Sequence, residues 1–163
     1  MQTETGEPIV RSFEPTAGFD RMTRIGNTFI RPLLHSRLGR KIHDLALLSF
    51  TGRKSGRRYT VPVAYHELDG DGVITTARAW RANLRGGADV KVVHDGVSIP
   101  MRAELIEEPR EVARIYGALL RRVGVGRAKL SIGLEVTGDR IPTDEELEEA
   151  IAGRRAVVML RPR

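Results

Sequence analysis

The sequence predicts an α+β fold, mainly β, and three observations carry that prediction. Between Leu45 and Ile106 the chain breaks into five short runs rich in β-branched residues. Those runs are separated by Asp-Gly and Gly-rich turn signals. Two further segments place apolar residues at steps of three and four, the period of a helix with one buried face. At 163 residues, 40% of them hydrophobic, the chain buries enough surface for one core without staples. The expected division is a flexible lead-in over 1–18 and a single domain over 19–163.

In chain order, residues 1–18 hold Gly6, Pro8, Pro15 and Gly18 among few apolar residues, which predicts an extended lead-in. From Phe19 to Leu38 the apolar positions Met22, Ile25, Phe29, Leu33 and Leu34 keep helical spacing, so a basic amphipathic helix is expected, kinked near Arg31 by Pro32. Strands are expected at Leu45–Thr51, Tyr59–Glu67, Val73–Ala77, Val90–Asp95 and Val97–Ile106. Asp69-Gly70 and Asp95-Gly96 suit tight hairpins, because both residue types tolerate positive φ. Ala79–Arg85 is helix-compatible, ends at Gly86-Gly87 and reads as a crossover. Pro109 leads a helical stripe over Glu111–Val123. Gly124-Val125-Gly126 lacks the third glycine and preceding strand of a dinucleotide fingerprint, so it reads as a turn. Thr143 and Glu146 have capping-box spacing for a helix to about Ala152, and Ala156–Leu160 closes as a strand.

Charge is segregated along the chain. From Arg21 to Arg58 ten cations face one acid, Asp44, a net +9, which leaves −3 for the rest of a chain whose total is +6. An anion is therefore the expected partner of that segment. The absence of cysteine excludes disulfides, thiolate metal sites and cysteine nucleophiles. His35, His43, His66 and His94 have no metal-ligand spacing, so no metal is expected. No Gly-x-Ser-x-Gly elbow accompanies Ser49, Ser55 or Ser98, and the acids from Asp144 to Glu149 read as a solvated helix face. No nucleic-acid motif is present. The longest apolar run, Leu45–Leu48, is too short to span a membrane, and Met1–Glu4 lacks the order of a secretion signal, so the cytoplasm is the expected location. The basic helix face allows a peripheral membrane contact through residues 19–41.

The densest chemical signal is Thr51-Gly52-Arg53-Lys54-Ser55-Gly56-Arg57-Arg58, between two expected strands. Two glycines, a hydroxyl and four cations on one turn can offer backbone amides and charged donors to a phosphate. This is not a Walker A loop, because Gly56 is followed by Arg57-Arg58. Running on into Thr60-Val61-Pro62-Val63, the block resembles the signature of the deazaflavin-dependent nitroreductase family. Trp80-Arg81-Ala82-Asn83-Leu84-Arg85, then Ala88-Asp89-Val90, is similar to that family's Trp-x-x-Asn-Leu segment. Both blocks lie within Leu45–Asp95, about a third of the chain.

The resemblance implies a split β-barrel of the pyridoxamine phosphate oxidase type, holding the deazaflavin coenzyme F420, with FMN as the lesser candidate. It implies that Arg53, Lys54, Ser55, Gly56 and Arg57, with Arg58, surround the phosphodiester, followed by Thr60 on the next strand. Pro62, Val63, Thr75, Thr76 and Ala77 would border the ring, and Trp80 and Asn83 the coenzyme's tail or the adjacent wall. The activity implied is hydride transfer from reduced F420 to a small-molecule substrate: a quinone, an enone or a nitro compound. Tyr65, Tyr59 and water are the candidate proton donors. The chain departs from the family at Tyr59, where an arginine is common, in a shorter loop from Ala77 to Trp80, and in lacking a tyrosine-rich C-terminal wall. Prodrug nitroreduction is therefore not carried over. The competing expectation is a non-catalytic carrier of a flavin, haem or fatty acid on the same barrel. Such barrels often pair, so a homodimer is compatible with the sequence.

Overall fold

The computed structural model describes residues 8–12 and 44–163. The expected basic helix over Phe19–Leu38, and the membrane contact assigned to 19–41, lie outside the described residues. Within the expected lead-in, Val10–Ser12 forms a strand, β1, with Val10 buried. It pairs antiparallel with β7 (Leu134–Val136), Val10 opposite Val136.

Six strands close a barrel: β2 (Leu45–Thr51), β3 (Arg58–Leu68), β4 (Asp71–Thr76), β5 (Ala88–His94), β6 (Val97–Ile106) and β8 (Ala156–Pro162). Their order around it is β2-β3-β4-β8-β6-β5, with antiparallel pairing throughout. The α+β, mainly β barrel implied by the resemblance is thus observed. Asp69-Gly70 and Asp95-Gly96 turn the hairpins with positive φ at all four residues, as their composition requires. A 3-10 helix over Ala79–Leu84 carries the chain from β4 to the non-adjacent β5, so the crossover is real.

Side-chain alternation divides the barrel wall into two cores. Leu48, Val63, Ile74, Val92, Ala103, Val158 and Leu160 fill the interior. Val73 and Val157, on the opposite face of the same ladder, join a second core beneath α1 (Pro109–Val123) and α3 (Asp144–Ile151). That is why β8 reads as a nearly unbroken apolar run: it is buried on both faces. Pro109 sits in the first turn of α1, and the Glu108 side chain accepts from the amides of Arg110 and Glu111. In α3 both halves of the capping box form: the amide of Glu146 donates to Thr143 Oγ1 at 3.3 Å, and the amide of Thr143 to Glu146 Oε2 at 2.7 Å.

One feature of the ladder positions the site. β3 pairs with β2 from Arg58 to Ala64, but with β4 only from Tyr65 to Leu68. On the N-terminal side of Tyr65, β3 and β4 part. Pro62, which has no N–H to offer a neighbour, lies in this single-sided stretch, opposite Leu47 of β2.

Candidate functional site

The β2–β3 turn is tied by its own backbone. The Gly52 amide donates to the Arg57 carbonyl at 2.8 Å, and the Gly56 amide to the Gly52 carbonyl at 2.9 Å. Ser55 Oγ accepts from the Arg57 amide at 3.2 Å and lies 3.2 Å from the Tyr59 hydroxyl. A Cβ on Gly52 would stand 2.6 Å from Ser55 Oγ and 2.7 Å from the Tyr59 ring, so the close approach requires glycine. Arg53, Lys54, Arg57 and Arg58 are exposed on this turn. Tyr59 stacks on Phe50, and Phe50 on Trp80, with centroids 5.8 and 5.6 Å apart.

The turn and the Trp-x-x-Asn-Leu segment, thirty residues apart in sequence, are joined directly. The Arg53 amide donates to Asn83 Oδ1 at 3.0 Å, and Asn83 Nδ2 donates to the Trp80 carbonyl at 2.9 Å. Asn83 therefore spans turn and helix with its two ends. Fully buried Leu84 anchors the 3-10 helix in the barrel. Glu107 holds the helix from outside through Arg85, at 2.8 and 3.0 Å, and Arg81, at 3.4 Å. The hydrogen-bonded Arg85 guanidinium is the main cause that keeps the Glu107 carboxyl below the usual carboxylate range.

Where β3 and β4 part, a cleft of about 420 Å³ opens. Pro62, Val63, Thr75, Thr76, Ala77 and Trp80 all line it, the same residues that the resemblance assigns to the ring and the adjacent wall. Leu45, Ala64, Arg78 and Arg155 complete it, with the segment Lys129–Gly133, which includes most of a short helix, α2 (Ala128–Ser131). Thr60 turns its hydroxyl to Ser49, 2.8 Å away, rather than into the cleft. Tyr59, the second residue of β3, packs against the turn through Ser55. Tyr65 lies inside the barrel with Val61 and Val63, its ring 4.3 Å from that of His94, and borders a different, polar cleft with Asp44, His66, Glu67 and Arg122. Burial pushes the Tyr65 hydroxyl pKa up, so it stays protonated there.

The wall from Lys129 to Gly133 and the guanidinium of Arg155 are absent from the sequence expectations. No local pattern marks them: Arg155 follows Arg154 before an apolar strand and looks like a surface charge, yet it is buried.

No family model matches the chain, and no curated protein matches it. Solved structures do resemble it. A conserved hypothetical protein from Mycobacterium tuberculosis is 21% identical, with 83% of this chain and 79% of that one covered and a TM-score of 0.51. An F420-H2 dependent reductase is 16% identical, with 72% and 94% covered and a TM-score of 0.48. A pyridoxamine 5'-phosphate oxidase-related, FMN-binding protein from Nostoc punctiforme is 12% identical, with 84% and 80% covered and a TM-score of 0.45. The likeness to the first of these is one of fold.

Proposed function

We propose that this chain is a deazaflavin-dependent oxidoreductase that binds coenzyme F420 and reduces a small organic acceptor: a quinone, an enone or a nitro compound. The observation that carries the reading is the hydrogen bond from the Arg53 amide to Asn83. It makes one continuous site of two sequence blocks that resemble the same family, and Trp80 extends that site into the cleft.

The residues fit such a ligand. Four cations on a tight turn suit a phosphodiester with an anionic tail, and a cleft walled by Pro62, Val63, Ala77 and Trp80 suits a flat ring. In this reading Arg53, Lys54, Arg57 and Arg58 bind the phosphate, and Ser55 and Gly56 shape the turn around it. Asn83 fixes the turn against the helix, and Trp80 forms the wall. When bound, the reduced deazaflavin supplies the hydride; the protein contributes position, exclusion of water and compensation of developing charge. Of the two candidate tyrosines, Tyr59 is the one whose hydroxyl reaches the turn, at Ser55, and water is the alternative proton source.

The double substitution Arg53→Ala with Lys54→Ala tests the reading. F420 affinity should fall by at least about tenfold, while the melting temperature stays near that of the parent. Unchanged affinity would remove the phosphate assignment, and failure of the parent to bind F420 would favour the carrier reading.

A further inference from the structure

Six polar or charged residues are buried among the described residues, and four of them, Thr75, Thr76, Ser131 and Arg155, line the apolar-walled cleft. Burying a polar group costs free energy unless something answers it, so this concentration has a chemical meaning. Arg155 is only 7% exposed and is held in a fixed pose. Its Nε donates to Ser12 Oγ at 2.7 Å, and its Nη1 to the Tyr116 hydroxyl and the Ile132 carbonyl, each at 3.4 Å. Gly133, at φ +71°, leaves the guanidinium its space: a Cβ there would stand 2.5 and 2.6 Å from Nη2 and Nη1. Ser131 Oγ is buried with no hydrogen-bond partner among the described residues.

We propose that this end of the cleft is an oxyanion subsite. The Arg155 guanidinium and the Ser131 hydroxyl receive an anionic oxygen on a flat, apolar ligand, and the Tyr116 hydroxyl holds Arg155 in place. For the identity of its occupant the inference rests on the function proposed above, in which that oxygen belongs to the acceptor. Lys129, paired with Glu135 at 2.7 Å, and Arg78 also line the cleft and add positive potential, so they must be separated from Arg155 by experiment.

The test needs no coenzyme. The neutral dye N-phenyl-1-naphthylamine is bound to the purified protein, and its fluorescence is displaced by 2-naphthoate or by uncharged 2-naphthylmethanol. The parent should prefer the carboxylate by about tenfold. Ser131→Ala should reduce that preference about threefold and Arg155→Met should abolish it, while Lys129→Ala keeps most of it. Equal displacement by the two competitors, failure of the dye to bind, or a preference lost in Lys129→Ala but kept in Ser131→Ala would overturn the assignment. Should Arg155→Met not fold, the parent ratio and Ser131→Ala still decide. F420 takes no part in the assay, so failure of the subsite and failure to bind the coenzyme are separate results.

Discussion

Replacing Asn83 by alanine removes the direct hydrogen bond between the cationic turn and the 3-10 helix without touching a cation. Two hydrogen bonds disappear, one from the Arg53 amide at 3.0 Å and one to the Trp80 carbonyl at 2.9 Å. Each contributes about 0.5–1.5 kcal/mol net, and the first is solvent-exposed and belongs at the low end. Together they amount to about 1–2 kcal/mol of order between turn and helix. Leu84 stays buried and Glu107 still holds Arg81 and Arg85, so the barrel should remain folded. If the phosphate needs the turn in its ordered form, the lost order reappears as a weakening of F420 binding of about 5- to 30-fold. The assay is fluorescence titration of parent and Asn83→Ala, with circular dichroism confirming equal folding. Equal affinities in two equally folded proteins would refute the idea that the turn and the Trp-x-x-Asn-Leu segment form one site.

Gly133→Ala should lower stability by about 2–4 kcal/mol in chemical denaturation, since it combines a left-handed backbone with a contact of about 2.5 Å to Arg155; a loss below about 0.5 kcal/mol would show that the guanidinium is not held there. Glu146 carries a pH signature: its hydrogen bond to Arg140, with those to Thr143, brings its carboxyl from the ordinary 4.5 down to about 2. A depressed folded pKa means a stabilising contribution that is complete above about pH 4.5 and lost as the pH falls towards about 2. Because the pair is exposed, the effect is small, and it is read as a difference. The melting temperature of the parent should fall more steeply across that window than that of Glu146→Ala, and parallel profiles would contradict the pairing of Glu146 with Arg140 and Thr143.

The strands were legible because their alternation is a local property. Tyr65 shares parity with Val61 and Val63, so the sequence places all three on one face of β3, but only the closed barrel makes that face the interior. The same parity puts Pro62 and Ala64 outward, where β3 leaves β4. The cationic turn was legible because glycines and cations are dense in eight consecutive residues. β1 and β7 were not, since three residues are too few to show a period. Arg155 was not legible for another reason: its partners Ser12, Tyr116 and Ile132 lie 143, 39 and 23 residues away, and nothing nearby in sequence distinguishes it from Arg154. Tertiary contacts alone make it part of the cleft.

The central claim is that the joined turn and cleft hold a deazaflavin. It is tested most directly by titrating the purified protein with F420 and with FMN at matched salt, following coenzyme fluorescence. The account predicts saturable binding of F420 at micromolar concentration or tighter, with FMN much weaker. FMN binding as well as F420, or F420 failing to saturate, would contradict it.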